Sequence, residues 1–305
     1  LSHGAKVACL RMLARLRNPD AIPDLLAYLE SNNVEFRHEA LLALHRCRYR
    51  FDTRNLVRFK QVLHAEIADA LQTCTLQVEV EAMGSPMLLH DGLEVAWAHL
   101  RERVFWLLAM LYDPAVIQRV RDNLDLDSRE KRAYAIEVLD NTLADEFKPL
   151  ILPLLEDLDI TRRLELWKRS ARALGTPSLL NAESILELPS SFETESHTPW
   201  LKSCIIQALV YDPRYKAKIE ILNDESELVQ NTLAWARTVL AGKKEKRNML
   251  SIIERVLILK TVSIFGDTPD HLLAEIADLL EEQHLELRRV DHHQHRNRNL
   301  ELHRR

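Results

Sequence analysis

The side chains best suited to chemistry are the histidines, and two groups of them lie close enough in sequence to be considered as metal ligands. His38 and His45 are seven residues apart on one predicted helical face, but no third ligand accompanies them. His90, Asp91 and His99 form the second group. Because His90 and Asp91 are adjacent in sequence, they point to different sides of a helix. The spacing therefore predicts no metal site.

The motifs of common enzyme classes are absent from the sequence. The six glycines are scattered, so there is no GxGxxG or GxxxxGK[ST] phosphate loop, and no GxSxG elbow occurs. His38-Glu39 is followed by Ala40-Leu41-Leu42, so there is no HExxH motif. Asp125 and Asp127 precede a predicted helix, where carboxylates act as caps. We therefore expect no catalytic residue, no cofactor and no metal, and a protein that is not an enzyme.

The four cysteines are far apart and form no CxxC pair, which argues against a redox motif or a metal site. Each lies in an apolar helical pattern, so the sequence predicts small buried thiols in a reducing compartment. They are Cys9, Cys47, Cys74 and Cys204.

Helices must position any site, and the stretch from Glu102 to Glu156 predicts four of them, each apolar on one face. A helix of this kind cannot bury its apolar stripe alone, so each must stack on the next. Stacking of successive helices in this way is typical of an α-solenoid. The three clearest stripes are Val104, Leu108 and Leu111; Ile117, Val120 and Leu124; and Ile136, Leu139 and Leu143.

The run from Asn18 to Leu26, followed by Val34, Arg37, Ala40 and Leu44, resembles a HEAT repeat. The resemblance implies an all-α, HEAT/armadillo-like right-handed α-solenoid of stacked antiparallel helix pairs over residues 1–242. It also implies that Arg37 bonds within the stack, and that Arg132 does so again. Three Asx-Pro joints are expected to start helices: Asn18-Pro19, Asp113-Pro114 and Asp212-Pro213.

A second module is predicted behind a charged linker at residues 243–248. Residues 249–287 resemble the helical start of a cyclic-nucleotide-binding domain, through Leu259-Lys260, Val262 and Phe265. No glycine follows Gly266, so the glycine-rich phosphate cassette of that family is absent. The barrel is therefore expected to be missing, and cyclic nucleotide is not expected to bind.

Charge is unevenly distributed along the chain. Residues 288–305 hold six arginines against Asp291 and Glu301, so this tail carries about +4 and the rest of the chain about −9. An acidic body repels a phosphate backbone, so nucleic acid is not an expected partner. The tail is expected either to be a disordered basic segment or not to belong to the natural sequence, as after a truncation or a reading-frame error.

Two segments resemble the soluble part of bacterial proteins related to ATP/ADP translocases, in which a transporter-like membrane domain precedes HEAT repeats and a cyclic-nucleotide-binding domain. They are Arg103 to Pro114 and Ala135 to Leu150. The longest apolar run, Val104 to Tyr112, is about half of what a spanning helix needs. The chain begins at Leu1 without a methionine, so we expect a fragment of a longer protein.

The resemblance implies a non-catalytic protein-interaction or regulatory scaffold, the soluble part of a larger, membrane-anchored, nucleotide-transporter-like protein. The expected partners are a protein on the concave solenoid face and a membrane domain preceding this chain. The expected location is cytoplasmic, at the cytoplasmic face of the membrane.

The alternative is an enzyme on a HEAT scaffold, such as a phycobilin lyase or a DNA glycosylase. Five tryptophans could supply the aromatic groups that a flipped base needs. We expect them to be core residues instead. They are Trp97, Trp106, Trp167, Trp200 and Trp235.

Overall fold

The computed structural model describes residues 3–82, 87–173, 197–242, 250–260, 262, 264–265, 268 and 270–280. This part of the chain is all-α and contains no strand. The α-helices are α1 (His3–Leu16), α2 (Ile22–Tyr28), α3 (Val34–Arg46), α4 (Leu56–Ala82), α5 (Met87–Leu111), α6 (Pro114–Leu124), α7 (Arg129–Thr142), α8 (Lys148–Leu155), α9 (Ile160–Ala173), α10 (Pro199–Leu209), α11 (Lys216–Ile221), α12 (Glu227–Leu240), α13 (Ile252–Lys260) and α14 (Asp270–Asp278).

All three predicted Asx-Pro joints start helical structure. Asp113 caps α6, where its Oδ1 accepts a hydrogen bond of 2.8 Å from the Ala115 N–H. Asn18 and Asp212 each cap a short 3₁₀ turn that leads into α2 and α11. A proline at the first helical position has no N–H to leave unsatisfied, so the joint fixes the chain direction at little cost.

A first core is formed by helices α1 to α9. From α4 to α9 each helix packs on the next one in the chain, whereas α1 and α2 both pack on α3, and α3 packs on α5. The four predicted helices of residues 102–156 exist, but the first is the end of the 25-residue α5. The sequence of α1 predicts an inner face of Ala8, Met12 and Leu16, together with Leu13. This prediction is wrong for Ala8, Met12 and Leu16, which are exposed, whereas Leu13 packs partly buried against the first core. The buried face, at helical spacing, consists of Val7, Leu10 and Ala14.

A second core is formed by α10 to α14 together with the far ends of α4 and α5. Leu76 and Val80 of α4, and Leu89 and Leu93 of α5, are buried in it. Gly92 permits the close approach of α5 and α10, since a Cβ atom there would lie 3.2 Å from the Cys204 Sγ. Helices of about 40 Å therefore carry the backbone from one core to the other.

Two contacts join helices that are far apart in the chain: α9 packs on α4, and α10 packs on α5. Helices α13 and α14 pack on α10 and share the second core. The predicted boundary at residue 242 stays a prediction. The linker at 243–248 and the tail at 288–305 lie outside the described residues. Within the described residues, no helix is long and apolar enough to cross a membrane.

The cysteines only partly match the expectation of buried thiols. Cys74 and Cys204 are buried, and burial raises the pKa of the Cys74 thiol to about 12. Cys9 is exposed and Cys47 is half-buried, so the prediction is wrong for these two. Cys9 lies outside the buried face of α1, which runs through Val7 and Leu10.

Candidate functional site

The candidate site is a cavity of about 530 Å³ at the junction between the two cores. Its walls come from α1, α3 and α5 on the side of the first core, and from α10, α14 and the start of α12 on the side of the second. This volume lies within the range of cavities that bind small molecules.

The wall on the side of the first core is closed by two ion pairs between α1 and α3. The His3 Nε2 lies 2.7 Å from the Glu35 Oε2, and the Arg11 Nε donates to the Glu39 Oε1 at 2.8 Å. The hydrogen bond with Glu35 raises the pKa of His3, and the charges of Glu35, Asp224 and Glu225 add to it against the effect of burial. His3 and Arg11 are therefore each paired with a carboxylate of the same wall.

Arg103 lies at the back of the cavity and belongs to a buried network of four charges, named here the charge network: Arg37, Glu66, Asp69 and Arg103. The Arg103 Nε donates to the Glu66 Oε2 at 2.6 Å, and the Arg37 Nε donates to the Glu66 Oε1 at 2.9 Å. Arg37 also pairs with Asp69. Two positive and two negative charges therefore neutralise each other inside the first core.

The charge network sets the protonation of Glu66. Burial alone would raise the pKa of this carboxyl group, but the charges of Arg103 and Arg37 together lower it below its usual range. Arg37 also donates two hydrogen bonds to the Ser31 and Asn32 carbonyls, at 2.8 and 2.7 Å, which ties the loop before α3 to α4. These residues hold the helices together, and they have no charge left over for a ligand.

Aromatic rings line the contact between α3 and α5. The ring centroids of His38 and His99 are 4.9 Å apart, and those of His38 and Trp106 are 5.1 Å apart. His45 stacks on Trp106 at 6.4 Å. The two rings on each helix are therefore seven residues apart: His38 and His45 on α3, and His99 and Trp106 on α5. Burial, and then the charges of Arg121 and Arg46, lower the pKa of His45, which favours the neutral form of its ring.

The opposite wall contains the turn of residues 224–228 at the start of α12. The Lys202 Nζ lies 2.6 Å from the Asp224 Oδ2, and the Asp224 Oδ1 accepts a hydrogen bond of 2.8 Å from the Ser226 N–H. Glu225 and Glu227 are exposed at this wall. Within the described part of the chain, these two carboxylates form no hydrogen bond or ion pair with another side chain.

The structure brings together some of the histidines that were considered as ligands, but without a ligand set. His38 and His99 meet at the cavity, whereas His90 pairs with Glu94 at 3.4 Å on the outside of α5. No group of three or more potential ligands is found among the residues that the structure describes. Asp125 forms an exposed ion pair with Arg101 at 3.6 Å.

The five tryptophans are core residues, as predicted. Trp106, Trp167 and Trp200 are buried, and Trp97 and Trp235 pack partly buried against the two cores. The Trp167 Nε1 donates to the Leu150 carbonyl at 2.8 Å, which meets the need of a buried indole. Arg132 is half-exposed, and its side chain forms no ion pair within the described residues, unlike Arg37.

Sequence reasoning missed Glu66, Asp69 and Arg103, and it missed the turn that holds Ser226. A signal existed for the first set, since charged residues at positions 66, 69 and 103 interrupt otherwise apolar helical faces. Comparison of the chain with protein-family models, with curated proteins and with solved structures found no match. The function must therefore be inferred from the geometry of this chain.

Proposed function

We propose that this chain is a non-catalytic protein-interaction module, and that a protein partner binds the exposed surface of α13 and α14. The observation that carries the proposal is a concentration of exposed apolar side chains. Of the fifteen large apolar residues that are exposed in the described part of the chain, eight lie between residues 250 and 280. Apolar surface concentrated in this way is typical of a protein-binding site.

Helix α14 shows the point most clearly, because it is apolar on two sides. Leu273, Ala274 and Ala277 are buried in the second core. A second stripe is exposed: Leu272 and Ile276 on α14, and Leu279 directly after the end of the helix, which is 83% exposed. Its spacing of four and three residues places these three side chains on one face, which suits contact with a partner helix.

The same proposal includes the arrangement of the helices as a solenoid. Neighbouring helices from α5 to α9 pack in the order of the chain, which supports a HEAT-like solenoid of helix pairs. We propose that such a stack acts as a regulatory scaffold within a larger, membrane-anchored, nucleotide-transporter-like protein. A concave face of the stack is the second surface on which a protein partner could bind.

Site-specific photocrosslinking tests the proposed surface. A photoreactive amino acid is placed at Leu272 or Leu279, and in control chains at Val57 of α4 or Tyr134 of α7, whose exposures of 67% and 61% lie between those of the two test positions. We expect one defined crosslinked protein from both test positions, and none from the controls. Mass spectrometry identifies the product.

A charge on the stripe provides the matched test of specificity. Ile276→Lys should abolish the crosslink from Leu272, whereas Ile221→Lys on the exposed side of α11 should leave it unchanged. Identical crosslinks from α14 and from the control positions would show that the apolar stripe is not a binding surface. So would a crosslink that survives Ile276→Lys.

A further inference from the structure

We propose that the cavity between the two cores binds a small organic cation, an ammonium or guanidinium group carried on a short aliphatic chain. This inference is independent of the protein-binding surface on α13 and α14. Its support comes from the charge balance of the walls, from the hydroxyl group of Ser226, which caps no backbone N–H, and from the apolar lining.

The charge balance favours a cation because the positive side chains of the walls already have carboxylate partners. His3 pairs with Glu35, Arg11 pairs with Glu39, and Arg103 belongs to the neutral charge network. Glu225 and Glu227 remain as two negative charges without an ion-pair partner among the described residues. The cavity therefore offers carboxylates to a ligand and no uncommitted cation from these three pairs.

The helix N-termini at the cavity carry partial positive charge, which would favour an anion. The magnitude of this charge must therefore be compared with that of the carboxylates. The N-termini of α1, α10 and α12 line the cavity, and each carries about half a positive charge. Together they amount to less than the two full charges of Glu225 and Glu227. Glu35 and the Asn33 cap already meet the N-terminus of α3. The raised pKa of His3 agrees with a negative potential, since Asp224 and Glu225 contribute to it after Glu35.

Ser226 supplies an independent sign that a ligand belongs here. It lines the cavity and is only 8% exposed, but its hydroxyl group forms no hydrogen bond within the described structure. It occupies the N-cap position of α12, where a serine normally accepts a hydrogen bond from a backbone N–H of the first turn, and it caps none. The hydroxyl group can therefore accept a hydrogen bond from an ammonium N–H of a ligand in the cavity.

The rest of the lining suits the aliphatic part of such a ligand. Val7 and Val34 contribute apolar surface from α1 and α3, and Leu228 contributes it from α12. Carboxylates and a hydroxyl group beside apolar surface form a site for an alkylammonium ion, whereas an inorganic cation would gain nothing from the apolar half.

Isothermal titration calorimetry of the full chain with cadaverine, a diamine, tests the proposal. Its neutral analogue pentanediol and the dicarboxylate glutarate serve as matched ligands of opposite or no charge. We expect saturable binding of cadaverine, and binding at least tenfold weaker for the other two. No saturable binding of cadaverine, or tighter binding of pentanediol or glutarate, would overturn the proposal.

Variants of the turn locate the binding. The double variant Glu225→Gln/Glu227→Gln should weaken cadaverine binding by about tenfold, and Ser226→Ala by about threefold. The control Glu130→Gln/Glu137→Gln removes the same charge from exposed positions of α7 and should leave binding unchanged. Thermal melts confirm that each variant is folded, which is expected since none of these side chains is needed for packing. Equal affinity in the turn variants and the control would overturn the proposed site.

Discussion

The two cores treat their buried polar groups differently. In the first core, the four buried charges of the charge network are paired with one another, and the buried indole of Trp167 has a carbonyl partner. In the second core, four buried polar atoms without a hydrogen bond lie on α10 and on His197, which precedes it; the other three residues are Trp200, Ser203 and Gln207. The first core also contains such atoms, on Gln72 and Arg101, but they are not concentrated on one helix. The cavity lies where these two regions meet.

The difference shows where rigidity is concentrated. A buried charge network with every member paired is stable only in one arrangement, so it fixes α3, α4 and α5 relative to one another. Unpaired buried groups cost free energy and tend to persist where another requirement dominates. We infer that the first core is the stable frame, and that α10 is the element most easily displaced from it.

The largest effect should come from breaking the charge network. Arg37→Met removes the partner of Glu66 and Asp69 and leaves an uncompensated negative charge in the first core. We expect the free energy of unfolding to fall by about 3–5 kcal/mol in chemical denaturation.

An exposed ion pair provides the control for Arg37. Arg58 pairs with Glu30 at 3.0 Å near the surface, and Arg58→Met should cost less than about 1 kcal/mol. If the two variants lost the same stability, the first core would not depend on its network.

A charge without a partner should also disrupt the first core. Ile136 is half-buried on α7 and packs against this core. Ile136→Asp should lower the free energy of unfolding by about 3 kcal/mol, because a carboxylate there has no network to pair it. Helicity should fall beyond α7, since neighbouring helices share the core.

Tyr134→Asp is the matched control for this variant, because Tyr134 is 61% exposed on the same helix. It should leave the melting curve nearly unchanged. Circular dichroism measures both variants, and an unchanged melt for Ile136→Asp would contradict the stacked packing.

Local patterns predicted the helices and their starts well. Phe59, Leu63 and Ile67 of α4 are all buried, as their spacing indicates, and each Asx-Pro joint caps a turn. These features depend on residues within one or two helical turns, so the sequence displays them directly. The face of α1 was predicted wrongly because two adjacent stripes of this helix are apolar, and only packing against α3 selects one of them.

The candidate site could not be predicted in the same way. Arg37 and Glu66 are 29 residues apart, and Arg103 and Glu66 are 37 apart, so no spacing rule connects them. The cavity joins α1 to the start of α12, and that contact arises only because α4 and α5 extend into both cores. Such a site depends on tertiary structure that no local pattern records.

Acid should destabilise the second core through His197. Burial, and then the charge of Lys202, lower the pKa of His197 to about 4. Between the ordinary pKa of 6.5 and about 4, the unfolded chain therefore binds a proton that the folded chain does not, so stability falls as the pH falls. At pH 5 the loss should be about 2 kcal/mol relative to neutral pH.

The variant His197→Asn isolates this effect, because burial also lowers the pKa of His45 and His64 in the first core. Chemical denaturation at both pH values should show a pH dependence that is smaller in His197→Asn than in the parent. His90→Asn, at an exposed position, should keep the full dependence. A His197→Asn protein with undiminished pH dependence would show that His197 titrates normally.

The smallest expected effects come from removing one hydroxyl group in each region, and these changes in stability should have opposite signs. Thr73 of the first core donates from its Oγ1 to the Asp69 carbonyl at 2.9 Å, whereas the Ser203 hydroxyl group is fully buried and has no partner. Thr73→Val should therefore cost about 1 kcal/mol, because it removes a hydrogen bond without changing the volume. Ser203→Ala should be neutral or stabilising by up to about 1 kcal/mol, since it removes an unsatisfied group and alanine favours a helix. Denaturation midpoints that shift in the same direction for both variants would mean that the hydroxyl group of Ser203 is satisfied in solution, and that the two cores do not differ in this respect.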